Sequence, residues 1–149
     1  MKEYEHIQFM AQKLGFQSFT ELQHKAFCAD ETYNSGRWLF VIGATSSGKT
    51  LIPLLLYFRE YMRKKGEGKP HRLLFAVPYR ALAGQKQKEI SEMTERLGLE
   101  LRVTLSTGEF RGDDMDVLNG KTDIAVIIYE KVFMFSSMKR SFLDSYDML

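Results

Sequence analysis

The sequence is poor in the residues that build covalent and metal-bound frameworks. Its 149 residues contain one cysteine, Cys28, which excludes an internal disulfide and a cysteine-rich zinc site and favours a reducing compartment. We predict that Cys28 is a core residue on a helix face rather than a nucleophile. Three prolines and eleven glycines are too few for a fibrous or disordered chain. The composition is that of an ordinary globular protein, and the length fits one compact domain.

Charge of one sign and long apolar runs are also scarce. Lys and Arg number 21 and Asp and Glu number 19, so the net charge is only +2 and no overall basic surface is expected. The longest apolar stretch, residues 51–58, is far shorter than the roughly 20 residues that cross a bilayer. Residues 1–10 lack the apolar core of a secretory signal. We therefore expect a cytoplasmic protein with no membrane partner, in which any nucleic-acid site is local.

Apolar runs alternate with helix-forming segments along the chain. Two overlapping capping-box patterns, Ser18 with Glu21 and Thr20 with Gln23, predict a helix over residues 18–31. Helices are also predicted at residues 49–65, 81–97 and 129–135, and short apolar strands at 37–42, 72–77, 101–105 and 124–128. This alternation indicates an α/β fold with a parallel sheet covered on both faces.

Residues 43–50, GATSSGKT, match G-x-x-x-x-G-K-[ST] at every fixed position and stand between a predicted strand and a predicted helix. Gly43 and Gly48 allow the backbone to approach phosphate oxygens closely, and the following helix directs its positive end at the same anion. Lys49 can reach the β- and γ-phosphates, and Thr50 is the predicted Mg²⁺ ligand. The predicted nucleotide site also includes the rest of the loop, Ala44, Thr45, Ser46 and Ser47. The structural alternative is a Gly/Ser connection that leaves Lys49 in solvent.

The segments around this loop resemble a known family. GFQSFTELQHKAF upstream, with VPYRALAGQK, STGEFRGDD and TDIAVIIYEKV downstream, is similar in order and spacing to the first RecA-like domain of superfamily 2 nucleic-acid helicases. The likeness is greatest to the DExH branch that contains the superkiller-type and repair helicases, and it covers about residues 14–149. It implies a three-layer P-loop NTPase fold, with ATP and Mg²⁺ as cofactors and DNA or RNA as partner. Gln23 looks like the glutamine of the Q motif, whose amide would pair with adenine.

The resemblance also implies contacts with the nucleic-acid backbone. Arg80 falls in motif Ia, Thr107 and Gly108 fall in motif Ib, and Lys131 falls on the next element that contacts the backbone. A solvated arginine at a helix start is the alternative for Arg80. Ile127 and Ile128 stand where the family generally carries threonines, and an isoleucine cannot donate a hydrogen bond to phosphate.

Hydrolysis in this family needs an apolar strand that ends in Asp-Glu, and the sequence contains none. Asp113, Asp114 and Asp116 are predicted to lie in a polar loop. The chain stops at DSYDML, where the resemblance places the start of that strand, so we expect residues 1–149 to be a partial first RecA-like domain, truncated before the Walker B strand. We expect this chain neither to hydrolyse ATP at a helicase rate nor to unwind a duplex alone. Its expected partner is the remainder of the helicase, or a second copy paired through an exposed sheet edge. A non-catalytic nucleotide- or nucleic-acid-binding fragment and an unrelated P-loop kinase are the alternatives.

Overall fold

The chain forms two compact units, Met1–Arg63 and Lys64–Leu149. A computed structural model of the protein describes residues 2–29, 41–44, 46–109 and 111–149. The described helices and strands are, in chain order, α1 (Lys2–Lys13), α2 (Glu21–Cys28), α3 (Leu51–Gly66), β1 (Leu73–Val77), α4 (Arg80–Leu97), β2 (Val103–Ser106), α5 (Gly112–Leu118), β3 (Ile124–Ile128) and α6 (Tyr129–Met138). No helix in these ranges combines the length and the apolar character needed to cross a membrane.

The described part of the first unit is helical. The hydroxyl of Thr20 accepts a hydrogen bond from the N–H of Gln23, and the side-chain oxygen of Gln23 accepts one from the N–H of Thr20. This reciprocal pair is a capping box, so the second of the two overlapping patterns starts α2. Helix α3 begins two residues later than predicted, and Pro53 lies in its first turn, where the missing N–H removes no helical hydrogen bond.

Two predictions for the first unit concern the strand at residues 37–42 and the burial of Cys28. Most of the strand predicted at residues 37–42, together with Thr45 of the nucleotide loop, lies outside the described residues, and the described residues Val41 and Ile42 are not in a strand. The prediction that Cys28 is a core residue is wrong, because its side chain is exposed. Its sulfur lies 3.7 Å from Nδ1 of His24, one helical turn earlier.

The second unit is built on a parallel sheet of three strands in the order β1-β3-β2. The three strands lie within two residues of the predicted positions. Leu74 is in register with Ala125, and Thr104 pairs with the same residue from the other side. Every residue of β3 is buried, so the central strand is covered on both faces, as its unbroken apolar run predicts.

Helices cover this sheet. Helix α4 packs against all three strands, α5 packs against β2, and α6 packs against β3 and β1. Gly98 follows the last residue of α4 and caps the helix. Its φ of 68° is the left-handed conformation that glycine adopts without a steric penalty. The hydrophobic core of the unit consists of Leu74, Val117, Leu118, Ala125, Ile127, Phe135, Phe142 and Tyr146.

The segment that carries Asp113, Asp114 and Asp116 is not the polar loop that the sequence predicted. It forms α5, in which Asp114 occupies the third helical position and accepts a hydrogen bond from the N–H of Arg111. Val117 and Leu118, the last two residues of α5, are buried. The prediction is wrong because seven residues hold too short an apolar pattern for periodicity to distinguish a helix from a loop.

The last residues of the chain lie beside β1. Met148 forms a parallel bridge with Leu73, and its carbonyl accepts a hydrogen bond of 2.9 Å from the N–H of Leu74. The carboxylate of Asp147 accepts another, of 2.8 Å, from the N–H of Arg72. Since β3 occupies one side of β1, this segment lies on the other side.

Candidate nucleotide and nucleic-acid sites

Lys49 is folded back onto the loop that precedes it. Its ammonium donates hydrogen bonds to the carbonyl of Gly43 at 2.8 Å and to that of Ala44 at 2.6 Å, and it lies 3.5 Å from Oγ of Ser47. The structural alternative of a lysine extended into solvent does not describe this arrangement. The loop surrounds a single positive charge with its own oxygen atoms.

Side chains from the start of α2 hold the other end of the loop. The hydroxyl of Thr20 donates to the carbonyl of Ser47 at 2.9 Å, and Nε2 of Gln23 donates to the carbonyl of Gly48 at 2.9 Å. The carbonyl and the N–H of a trans peptide point in opposite directions. The N–H groups of Gly48 and Lys49 are therefore turned away from α2.

Gly48 cannot be replaced without disturbing this contact. Its φ is +76°, and a Cβ atom built on it would lie 2.2 Å from Nε2 of Gln23. Gly43 is similarly crowded, because its Cβ would lie 2.7 Å from Leu22 and 2.8 Å from Ser47. At both glycines of the motif a side chain would therefore collide with a neighbouring side chain: with Gln23 at Gly48, and with Leu22 and Ser47 at Gly43.

The remaining described residues of the loop complete the predicted nucleotide site. Ser46 has a φ of +68°, a conformation uncommon for a residue other than glycine, and it lies at the tip of the turn. Thr50 is exposed immediately before α3, where its hydroxyl is accessible to a cation. No group of three or more His, Cys, Asp or Glu side chains in the described ranges could hold a metal ion.

A groove of about 720 Å³ in the second unit brings three of the predicted nucleic-acid contacts together. Arg80, Thr107 and Gly108 all line it, although Arg80 follows β1 and the other two follow β2. The guanidinium of Arg80 lies against Gly108, since a Cβ atom on that glycine would be 3.4 Å from Cζ of the arginine. The other charged and amide side chains of the lining are those of Gln87, Arg102, Glu109, Arg111, Asp113 and Asp114.

The charges around the groove are partly neutralised. Arg102 forms ion pairs with Asp116 at 2.7 Å and with Asp113 at 3.4 Å, so carboxylates of α5 neutralise its charge. Arg80 and Arg111 supply the other positive charges of the lining, and Glu109, Asp113 and Asp114 supply three negative charges. The three arginines and three carboxylates of the lining balance, so the lining residues carry no net formal charge, and Lys131 pairs with Asp114 from outside the lining.

Lys131 lies away from the surface of the groove. Its side chain is 3% exposed, and its ammonium forms an ion pair with Asp114, whose side chain is 4% exposed. Burial alone would raise the pKa of Asp114, but hydrogen bonds from Lys131, from the hydroxyl of Ser106 and from the N–H of Arg111 outweigh burial and lower that pKa below its ordinary value. In this conformation Lys131 is not presented to a polymer phosphate. Ile127 and Ile128 are buried in β3, as their apolar character requires.

Sequence reasoning missed two residues of these sites. Thr20 was recognised as a helix cap but not as a donor to the nucleotide loop, a contact that spans 27 positions and has no local signal. Asp114 was assigned to a loop, although an acidic side chain three residues after Arg111 and before two apolar residues is a helix-start pattern that could have identified it.

Comparisons with known proteins identify the family and a similar fold. Residues 20–149 match the family described as DEAD/DEAH box helicase. Over 107 residues, or 71% of this chain, the sequence is 37% identical to a probable ATP-dependent helicase of Methanocaldococcus jannaschii, of which the match covers 12%. The fold is similar to the crystal structure of the DUF1998 helicase MrfA, with a TM-score of 0.71 and 20% identity, over 95% of this chain and 21% of that one.

The chain spans a small part of both of these proteins. Its α/β architecture with a parallel sheet is the RecA-like fold that the resemblance implied. The family match covers nearly the whole sequence, from the capping threonine of α2 to the last residue. The chain therefore belongs to the DEAD/DEAH box helicase family.

Proposed function

We propose that this chain is part of an ATP-dependent nucleic-acid helicase or translocase, in which it binds ATP with Mg²⁺ and contacts the nucleic-acid backbone. The observation that carries the proposal is the contact of Gln23 with Gly48, which joins the amide that we propose selects adenine to the loop that we propose binds phosphate. A small-molecule kinase has no need for this amide or for the groove in the second unit. Family membership and the similar helicases support the same conclusion.

Residues 43–50 would bind the phosphates of ATP. Lys49 would exchange the carbonyls of Gly43 and Ala44 for phosphate oxygens, and the N–H groups of Gly48 and Lys49 already face away from α2. The exposed hydroxyl of Thr50 would be one ligand of Mg²⁺, with water and phosphate oxygens as the others. The metal supplies charge that neutralises the phosphates.

Gln23 would select adenine without releasing the loop. A glutamine amide has two N–H donors and two acceptor lone pairs. The bond to the carbonyl of Gly48 uses one donor, and the bond from the N–H of Thr20 uses one lone pair. One donor and one acceptor remain, which is the set that pairs with N7 and N6 of adenine.

The groove in the second unit would bind phosphates of a single strand. Arg80 brings a positive charge, and Thr107 and Gly108 bring a hydroxyl and N–H groups after β2. These groups recognise phosphate rather than bases, so binding would depend little on sequence. Three of the four predicted residues, Arg80, Thr107 and Gly108, line the groove. The fourth, Lys131, is not proposed to contact phosphate, because its ammonium pairs with Asp114.

Titration of the full chain with a fluorescent ATP analogue in the presence of Mg²⁺ tests the nucleotide site. We expect Lys49→Ala to weaken binding by about tenfold or more, because it removes a charge-assisted hydrogen bond. Lys65→Ala is the matched control, since it removes the same charge about 20 Å away along α3. Equal affinity of the Lys49→Ala protein and the wild type would refute nucleotide binding through this loop.

The metal is tested with the same titration. We expect EDTA to weaken binding by the wild type, and we expect Thr50→Val to reduce this difference, because valine keeps the shape of threonine but has no hydroxyl. A wild-type affinity that EDTA does not change would refute the Mg²⁺ assignment.

A further inference from the structure

Asp114 lies at the centre of a buried polar cluster in the second unit. Its Oδ1 accepts a hydrogen bond of 2.6 Å from the hydroxyl of Ser106, and its Oδ2 accepts from the N–H of Arg111 at 3.0 Å and from the ammonium of Lys131. We call these four groups the Asp114 cluster. Ser106 is fully buried, so its hydroxyl cannot reach a polymer.

Each partner of Asp114 belongs to a different element next to the groove. Ser106 is the last residue of β2 and directly precedes Thr107, which lines the groove. Arg111 directly precedes α5 and lines the groove as well. Lys131 lies in the first turn of α6. One carboxylate therefore ties together the end of β2, the start of α5 and the start of α6.

The ion pair at the centre of the cluster is difficult to rearrange. Both charged side chains are almost completely shielded from water, so each ion depends on the other for solvation. The ammonium of Lys131 also lies 5.3 Å from the centroid of the Phe135 ring, a distance at which the ring face attracts a cation. Lys131 is thus held on the inside of the unit and cannot turn to a phosphate without leaving a buried carboxylate unpaired.

We propose that Lys131 and Asp114 are positioning residues, which set the geometry of the backbone-binding groove without touching the nucleic acid. This inference rests on the proposed function of the groove. Through Ser106 and Arg111 the pair fixes where Thr107, Gly108 and the side chain of Arg111 stand relative to Arg80. Lys131 of α6 thus affects binding from the interior of the second unit, through the residues that it positions.

The salt dependence of binding separates a positioning residue from a phosphate contact. Each phosphate that a protein neutralises on a single strand contributes about 0.7 to the slope of log K against log salt concentration. Fluorescence anisotropy of a labelled oligothymidylate of about 20 nucleotides measures this slope for the full chain. We expect Arg80→Gln to weaken binding and to reduce the slope by about 0.7.

For Lys131→Met we expect binding about fivefold weaker at each salt concentration, with the wild-type slope. Ser106→Ala leaves no charge unpaired and is expected to remain folded, and it should weaken binding about twofold with the same slope. Tyr146→Phe is the matched control: it removes a buried hydrogen bond of 2.6 Å to the carbonyl of Val117 in the same unit, outside the lining of the groove, and should leave affinity unchanged.

The outcomes are distinct. A slope reduced by Lys131→Met as much as by Arg80→Gln would overturn the inference, since it would show that Lys131 contacts phosphate. Wild-type affinity in both the Lys131→Met and Ser106→Ala proteins, with circular dichroism of a folded chain, would overturn it while leaving the groove itself supported. A wild type that does not bind the oligonucleotide would overturn the proposed function of the groove, and the inference would fall with it.

Discussion

The contact between Gln23 and Gly48 makes the cost of one substitution calculable. In Gly48→Ala the new methyl group would lie 2.2 Å from Nε2 of Gln23, so this flexible side chain must move away. Its movement breaks the bond to the carbonyl of Gly48, worth about 1 kcal/mol, and the capping box with Thr20, worth about 1 kcal/mol more. The left-handed backbone at residue 48 adds about 1 to 2 kcal/mol. The expected loss in free energy of unfolding is about 3 to 4 kcal/mol.

Gly15→Ala is the matched control for backbone strain. Gly15 lies in the same unit with a φ of +92°, and a Cβ atom on it would have no neighbour within 4 Å. Its substitution should cost only the strain of about 1 to 2 kcal/mol. Urea denaturation followed by far-ultraviolet circular dichroism measures both losses.

A second background isolates the contribution of Gln23. In the Gln23→Ala protein the side chain that obstructs the methyl group is already gone, so Gly48→Ala should then cost little more than Gly15→Ala. This double-mutant cycle gives the energy that couples the two positions. The reasoning would be refuted if Gly48→Ala cost no more than Gly15→Ala, or if its cost were the same with and without Gln23.

Two further predictions concern stability and activity. The pKa of Asp114 is lowered in the folded state, so its contribution to stability is present above the unfolded pKa of about 3.9 and is lost as the pH falls through the lower folded value. Asp114→Asn should therefore flatten the decline of the urea midpoint between pH 5 and pH 3, and an unchanged decline would contradict the assignment. The 149-residue chain should show no steady-state ATP hydrolysis that single-stranded nucleic acid stimulates. Such an activity, abolished by Lys49→Ala, would contradict our expectation that the family's Asp-Glu strand is needed.

Local patterns in the sequence were sufficient for most of the elements. The capping box at Thr20 and the strand at residues 124–128 are each specified by residues within a few positions of one another. Such signals depend on backbone propensity and on the spacing of apolar side chains, which the sequence shows directly. They failed for α5, where the apolar pattern is shorter than two helical turns.

The tertiary structure alone decided which distant side chains meet. The bond from Gln23 to Gly48 spans 25 positions, and the ion pair of Lys131 with Asp114 spans 17. The family resemblance gave Lys131 the role of a phosphate contact, whereas the sheet order and the placement of α5 bury its ammonium against a carboxylate. The sequence by itself determined the start of α2 and the positions of the three strands of the second unit, because these depend on residues within a few positions of one another. Only the packing of elements far apart in the chain determined which charged groups face the groove and which neutralise one another inside the second unit.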